Sequence, residues 1–182
     1  LEKDIPRPFR AYSLEQAMSL PAEEIQNQLI ESGQWVSLRT RPFGKVADPG
    51  NRPNAIFVTA IDTRPHAPDP IVFIDAHRAA FKLGQYLLAS MVECPLYVCC
   101  APDAHIPMCD HKRVERHDFG GPHPAGLAGT HVHFLMGASM HNLAWTIGYQ
   151  DVVAIGRLFL DGELFTDRIV SLAGPPVAKP RL

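Results

Sequence analysis

Apolar positions along the chain switch between helical and strand-like spacing, and this alternation predicts an α/β domain. Helical spacing is present at Ile25, Leu29 and Ile30. A short run over residues 55–60, apolar except for Thr59, then predicts a buried strand. Residues 95–100 form a second such run, so the two runs and the helical stretch between them predict a right-handed β-α-β unit.

Local signals set the ends of the first helices. The proline-rich opening, residues 1–10, is expected to be irregular. Ser13 and Gln16 have the spacing of a capping box, in which each side chain accepts a hydrogen bond from the backbone N–H of the other residue. Pro21 suits the first position of the next helix, and Gly33 is the expected C-terminal cap of that helix.

A longer helix is predicted between the two buried runs. Asp75 is its expected N-cap, because a carboxylate at that position accepts a hydrogen bond from the first turn. The apolar face of this helix is expected to consist of Ala76, Ala80, Leu83, Leu87 and Met91. Its small residues would let the helix lie close to the sheet.

The second half of the chain alternates in the same way. Residues 101–112 carry scattered prolines and are predicted to form a loop. Three further strands are predicted at residues 114–119, 143–147 and 168–173, and a helix is predicted at 150–160. Asp161 and Gly162 mark the end of that helix. Residues 125–135 fit either a helix or a strand.

Composition narrows the functional classes. With 182 residues, of which 46% are hydrophobic, the chain suits one domain with its own core, and it lacks an apolar stretch long enough to span a membrane. The 17 basic and 19 acidic residues give a formal net charge of -2, so no nucleic-acid partner is expected. Because Leu1 stands where a start methionine would be and no secretory signal is visible, we interpret the sequence as an excised fragment. We expect reduced, buried thiols at Cys94, Cys99, Cys100 and Cys109.

The arrangement of residues 32–46, the strand at 55–60 and the acidic turn at 61–69 matches a nucleotide site in an open α/β sheet. A phosphate cradle in such a site needs closely spaced glycines, and Gly33 and Gly44 do not supply that pattern. The sequence therefore weakens the hypothesis of a bound flavin or dinucleotide.

Three charged residues near this stretch have two interpretations each. Arg39 and Arg41 would grip an anion as a pair of guanidinium groups, or they are solvated or paired with Asp48 or Asp62. Asp62 would contact a ribose or flavin, or it forms a turn by accepting a bond from its own backbone, and we favour the turn.

The histidines and cysteines are the other candidates for chemistry. His131 and His133 would share a face on a strand but diverge on a helix. His105, Cys109 and His111 are a looser set of metal ligands, yet a zinc site needs three or four ligands in a tetrahedron, and no metal site is expected. No nucleophile motif or acid–base pair stands out, so we predict no catalytic residue in this chain.

Several longer strings in the sequence carry a family resemblance. The strings are Leu38-Arg39-Thr40-Arg41-Pro42-Phe43, residues 119–131, residues 148–152 and residues 171–175. Together they resemble the A subunit of the Na⁺-translocating NADH:quinone oxidoreductase. More distantly, the layout is similar to the flavin- and NADH-binding subunit of respiratory complex I, in which a glycine-rich flavin loop replaces residues 38–43.

The resemblance implies a fold and a domain organisation. It implies a Rossmann-like open sheet in three αβα layers, similar to the flavin-binding domain of complex I but without the flavin loop. Residues 1–165 would form this domain, with short helices at its start, and residues 125–135 would be helical. Residues 166–182 would lead as a strand into a C-terminal domain, and another domain would precede the chain.

The resemblance also implies a function. The chain would belong to a peripheral subunit on the cytoplasmic face of the bacterial inner membrane that supports assembly and ubiquinone reduction coupled to sodium export. It would carry no cofactor, since FMN, FAD and the iron–sulfur centre reside on partner subunits, one of which is a membrane subunit. The expected quinone or partner face comprises Arg39, Arg41, Phe43, Asp62, His123, His131 and His133. The alternatives are a flavin- or NADH-binding oxidoreductase domain and a metal-binding module.

Overall fold

The computed structural model describes residues 8–137 and 139–175. Within this part, the strands are β1 (Arg39–Arg41), β2 (Ala55–Ala60), β3 (Leu96–Cys100), β4 (Val114–Asp118) and β5 (Ala144–Gly148). The helices are α1 (Leu14–Met18), α2 (Ala22–Glu31), α3 (Pro70–Ala76), α4 (Arg78–Met91), α5 (Ala128–Met136) and α6 (Tyr149–Asp161), and Gln34–Ser37 forms a 3₁₀ helix.

The five strands of the described residues form one open, mixed sheet in the order β1-β5-β2-β3-β4. Strands β2, β3, β4 and β5 are parallel, whereas β1 pairs with β5 in the antiparallel direction. The predicted α/β open sheet is therefore confirmed. The closer likeness to the flavin-binding domain of complex I stays a prediction, and so do the domain limits.

The larger hydrophobic core lies between one face of the sheet and helices α4 and α6. These two helices touch at two glycines: a Cβ on Gly84 would lie 2.1 Å from the carbonyl oxygen of Val152, and one on Gly156 would lie 1.9 Å from that of Ala80. At both points the backbones of the two helices are in contact, so a residue with a Cβ would not fit in place of either glycine.

The opposite face of the sheet is covered by α5 over a smaller area. Its core consists of Ala55, Phe57, Cys99, Val132 and Ala144. Alternate residues of β2 and β5 thus face two different cores, as the period of two in a strand requires. The largely apolar composition of residues 55–60, in which Thr59 is the one polar residue, follows from this burial on both faces.

The predicted caps are correct at α1, α2 and α6. The Gln16 N–H donates to Ser13 Oγ (3.2 Å), and the Ser13 N–H donates to Gln16 Oε1 (2.9 Å), which completes the capping box. Pro21 is the N-cap of α2, one residue before the first helical position predicted for it. Gly33 and Gly162 have φ values of 77° and 68°, which only glycine adopts readily, and each follows the end of a helix.

The predicted cap at Asp75 is wrong. A helix, α3, already begins at Pro70, because Asp69 accepts a hydrogen bond from the Ile71 N–H (3.1 Å) and proline suits the first helical position. Asp75 lies near the end of α3 and forms an ion pair with Arg78 at the start of α4. The segment between β2 and β3 therefore contains two helices instead of one.

Three other expectations have different outcomes. Residues 125–135 are helical in their larger part, as the resemblance implied, because α5 starts at Ala128. The strand predicted over 168–173 is not one of the strands of the sheet. The loop prediction for 101–112 is correct. In the part of the chain that the structure describes, no helix has the length and apolar character needed to cross a bilayer.

Candidate functional site

The candidate site is a crevice at the carboxyl ends of β2 and β5. From β2 the sheet continues through β3 to β4 on one side, whereas β5 lies on the other side of β2. The chain after β2 and the chain after β5 therefore leave the sheet in different directions. In open α/β sheets, ligands bind at such a switch in strand order.

Two adjoining cavities make up the crevice, with volumes of about 450 and 610 Å³. They share Gly148, Asp151 and Arg168. The smaller cavity is also lined by Gly33, Gln34, Val36, Ser37, Arg39, Thr59, Ala128, Thr146 and Ile147. The segment that precedes β2 thus does reach the crevice, as the predicted layout requires. It does so as a 3₁₀ helix and an edge strand, not as a phosphate loop.

The first turn of α6 is covered by the segment that follows the helix. Gln150 binds the backbone of Ile169 twice: its Nε2 donates to the carbonyl oxygen, and its Oε1 accepts from the N–H, each at 3.0 Å. Arg168 donates to Asp151 at 2.7 Å. Burial raises the pKa of Asp151, although Arg168 acts in the opposite direction. We call residues 168–170 the strap.

Asp62 is held by its own turn. Its carboxylate accepts a hydrogen bond from the Arg64 backbone N–H (3.0 Å) and three more from the Arg64 guanidinium group. These bonds keep the pKa of Asp62 below its usual value, against the effect of partial burial. The prediction of a turn-forming aspartate is therefore confirmed, and the salt bridge suggested between Asp62 and Arg39 or Arg41 is wrong.

Arg39 and Arg41 do not act as one fork. Both are exposed residues of β1, but Arg39 lines the crevice, whereas Arg41 lines a separate cavity of about 290 Å³. Among the described residues, no carboxylate pairs with either guanidinium group. The alternative of a solvated pair fits this arrangement better than a single anion grip.

The separate cavity is apolar on most of its surface and lies between the turn after β1 and α5. Its lining consists of Arg41, Pro42, Gly129, Val132, Ser139, Met140 and Asn142. Phe43 follows in the same turn and is 72% exposed. Of the predicted partner face, Arg41 lines this cavity and Phe43 adjoins it in sequence.

The histidines do not converge. His131 is fully buried in α5 and donates from Nε2 to the carbonyl oxygen of Ala125 (2.8 Å), whereas His133 is exposed beside Phe134. His123 is exposed, with Nδ1 at 3.2 Å from the Thr63 hydroxyl oxygen. The divergence expected for a helix is confirmed.

No group of three or more possible metal ligands occurs among the described residues, which include His105, Cys109 and His111. The cysteines in this part are free thiols. Burial raises the pKa of Cys94, Cys100 and Cys109 to about 11 and that of Cys99 further still, so these thiols stay protonated and unreactive at neutral pH.

With this geometry in place, comparison with known proteins decides the family. A family model described as "NqrA second alpha/beta domain" matches residues 20–164. The chain belongs to this family. The resemblance found in the sequence strings is thereby confirmed.

The similar curated proteins are named as the A subunit of Na(+)-translocating NADH-quinone reductase. The one from Shewanella amazonensis is 50% identical over 174 residues, which cover 96% of this chain and 38% of that protein. The one from Aliivibrio salmonicida is 51% identical over 174 residues, with 96% and 39% covered. The one from Yersinia pestis is 47% identical over 182 residues, with 100% and 41% covered. The chain thus spans about two fifths of the length of these relatives.

Sequence reasoning missed most of the apolar cavity in this member of the NqrA second α/β domain family. Gly129, Val132 and Met140 were not selected, because each is an ordinary apolar or small residue in sequence. A helical wheel of α5 would have placed Gly129 and Val132 on one face, three residues apart. Gln150 was missed too, since its role depends on a segment that returns from the far end of α6.

Acid should destabilise this NqrA-family domain partly through His131. Burial lowers the pKa of His131 below 6.5, so the unfolded chain binds the proton more strongly than the folded one. The contribution of neutral His131 to the free energy of unfolding is complete above pH 6.5. It is lost as the pH falls from there through the pKa that His131 has in the folded protein. We expect His131→Gln, which keeps a donor for Ala125, to lose less stability than the wild type between pH 7.5 and 5 in urea unfolding. If the two proteins lose the same stability over this pH range, His131 does not make the contribution assigned to it. His77 and His111, whose pKa values are also lowered, remain in both proteins, so they do not affect the comparison.

Proposed function

We propose that this chain is a domain of a peripheral subunit of a Na⁺-translocating NADH-quinone reductase, in which it supports assembly and ubiquinone binding. Electrons from NADH would reach the quinone through FMN, FAD and an iron–sulfur centre on partner subunits, and quinone reduction would be coupled to sodium export. Contact with a membrane subunit would hold the chain at the cytoplasmic face of the bacterial inner membrane. The support is membership of the family, together with about 50% identity to NqrA subunits of such reductases over nearly the whole chain.

We propose further that the domain binds no flavin. A phosphate group would need glycine N–H groups or an open helix N-terminus in the crevice. The stretch before β2 instead presents Arg39, Thr40 and Arg41 as an edge strand, and the strap covers the first turn of α6. The glycine loop that a flavin phosphate requires is therefore replaced by an edge strand, and the side chains of Gln150 and Asp151 in the first turn of α6 are engaged by the strap, so these residues do not fit the cofactor.

The apolar cavity between the turn after β1 and α5 is the best candidate for quinone contact. A quinone ring with an isoprenoid tail suits an apolar cavity that carries a few polar groups. Pro42, Val132 and Met140 supply the apolar wall, and the Arg41 guanidinium is a potential donor to a quinone carbonyl. One observation carries this proposal: Arg41, a residue of the predicted quinone or partner face, lines this apolar cavity.

Filling the cavity should weaken quinone binding without harming the fold. Gly129 lies in α5, and nothing stands within 4 Å of the place where its Cβ would be. We expect Gly129→Leu to lower labelling of this domain by a photoreactive ubiquinone at least about tenfold in the assembled complex, since a bound ring and the leucine cannot share the space. Labelled peptides are quantified by mass spectrometry.

Ala128→Leu is the matched control, because Ala128 is the neighbouring residue of the same helix turn but lines the crevice. If labelling falls in Ala128→Leu but not in Gly129→Leu, the placement of the quinone in the apolar cavity is wrong. The quinone would then bind in the crevice. A complex that is labelled in other subunits only would overturn quinone contact by this domain. A yellow chromophore or a saturable NADH titration in the purified chain would establish the rival oxidoreductase function.

A further inference from the structure

We propose that residues 39–46, here called the cationic hairpin, dock on an anionic lipid surface. This proposal rests on the proposed function and deepens it, because it places the mouth of the apolar cavity at a bilayer. It is carried by three observations: the rigidity of the hairpin, the exposure of its apex and the pattern of its charges.

The cationic hairpin is a fixed platform. The Thr40 N–H donates to the Lys45 carbonyl oxygen (2.7 Å), and the Gly44 N–H donates to that of Thr40 (2.9 Å), so the turn is closed by backbone bonds. Strand β1 is itself bonded to β5 in the sheet, and the Thr146 hydroxyl donates to the Arg39 carbonyl oxygen (3.2 Å). A projecting turn that is ordered in advance loses little entropy on binding.

The apex of this platform is an exposed aromatic ring. Phe43 is 72% exposed and has a φ of 76°, a conformation that costs a bulky residue free energy and that Gly44, next in the chain, adopts without cost. Met140, which lines the same cavity as Arg41 and Pro42, is 77% exposed. Neither side chain contributes its apolar surface to the core of the domain.

The charges around the apex are all positive. Residues 39–46 contain Arg39, Arg41 and Lys45 and no acidic residue, although the whole chain has a formal net charge of -2. Within the described residues, none of the three cations forms an ion pair. Asp48, the nearest carboxylate along the chain, instead accepts a hydrogen bond from the Gly50 N–H (2.8 Å). The cations are free to contact phosphate groups.

This combination fits a bilayer better than a protein partner. An aromatic side chain enters the boundary between headgroups and acyl chains, while flanking cations contact anionic phosphates, and no pocket of matching shape is required. A protein partner would need a cavity for Phe43 and carboxylates placed opposite three separate cations. Arg41 and Pro42 line the apolar cavity. With the cationic hairpin at the bilayer, both residues would lie where a lipid-soluble quinone is concentrated.

Vesicle binding tests the proposal. The 182-residue chain is sedimented with vesicles of phosphatidylcholine, alone or mixed with an equal amount of phosphatidylglycerol. We expect binding to the anionic vesicles that weakens as salt is added, and little binding to the neutral ones. Phe43→Asn should lower the partition coefficient about tenfold, as expected when one large apolar group no longer leaves water. Asparagine tolerates a positive φ, so the fold is retained or gains stability.

Matched variants separate the hairpin from the rest of the surface. Arg41→Gln with Lys45→Gln should lower the partition coefficient about 25-fold, since each basic residue near an anionic surface contributes about fivefold. The controls are Lys82→Gln with Lys112→Gln, which remove two exposed cations elsewhere, and Val170→Asn, which removes a residue that is also 72% exposed. Both controls should bind as the wild type does.

Equal loss in the hairpin and control variants would overturn the proposal, because binding would then follow net charge alone. An absence of binding to either kind of vesicle would also overturn it and would leave a protein surface as the use of the hairpin. Quinone labelling of the apolar cavity in the assembled complex is measured separately, so that result stands or fails independently of vesicle binding.

Discussion

Gly156→Ala is expected to destabilise the domain by about 3 kcal/mol or more, enough to unfold a marginally stable domain. The added Cβ would lie 1.9 Å from the Ala80 carbonyl oxygen and 2.6 Å from its carbonyl carbon. Since both obstacles are backbone atoms of α4, no rotamer change relieves the overlap, and the two helices must move apart. The higher helix propensity of alanine, about 1 kcal/mol, recovers only part of this loss. Urea unfolding followed by circular dichroism measures the difference.

Gly129→Ala is the control for this change, because it makes the same substitution in a helix where the new Cβ meets nothing within 4 Å. There we expect a gain of about 0.5–1 kcal/mol from helix propensity alone. The two variants should therefore shift the urea midpoint in opposite directions. A Gly156→Ala protein with the stability of the wild type would show that α4 and α6 are not in backbone contact.

Trp145→Ala is expected to cost about 3–5 kcal/mol, the second large effect in the domain. Trp145 is completely buried on β5 and meets the ring of Trp35 edge to face, with centroids 5.5 Å apart. Its removal would leave a large cavity where the sheet, α6 and the 3₁₀ helix meet. Chemical unfolding of the variant and the wild type measures this cost. The dependence of the unfolding free energy on denaturant concentration is compared between the two proteins.

Paired phenylalanine variants separate packing from hydrogen bonding. The Trp35 indole N–H donates to the Ala47 carbonyl oxygen (2.7 Å), whereas that of Trp145 has no partner in the described structure. Trp35→Phe should therefore be less stable than Trp145→Phe by about 1 kcal/mol, the typical contribution of one hydrogen bond. The reverse order would mean that the Trp145 N–H is bonded in solution.

Local chemistry explains which elements could be predicted from the sequence. The capping box at Ser13 and the glycines at Gly33 and Gly162 act within one helix turn, so their signals are complete in a few residues. The buried strands at residues 55–60 and 95–100 are apolar because both faces are covered. Strand β1 could not be predicted in the same way, since a three-residue edge strand of Arg39, Thr40 and Arg41 forms only through pairing with β5, more than 100 residues later.

The candidate site was harder to predict than the fold, because more of it is formed by residues that are distant in sequence. Asp62 was correctly predicted to form a turn, because its partner Arg64 is only two residues away. The different cavities of Arg39 and Arg41 could not be foreseen, since they are completed by residues of α5 and α6 that are distant in sequence. The wrong cap at Asp75 has a simpler reason: Asp69 and Pro70 form a stronger start six residues upstream, and the helical pattern alone does not choose between two starts.

The strap makes the first turn of α6 a site with a tethered competitor. A phosphate-bearing molecule that used Gln150 or Arg168 as a donor at this helix end would have to displace the Gln150 bonds to Ile169 or the Arg168 bond to Asp151. Its apparent dissociation constant would be the intrinsic constant divided by the fraction of molecules in which the strap is released. Because the competitor is part of the same chain, its local concentration does not fall when the protein is diluted. We expect this competition to weaken the binding of free nucleotides at the crevice by mass action, with no need for a repulsive charge.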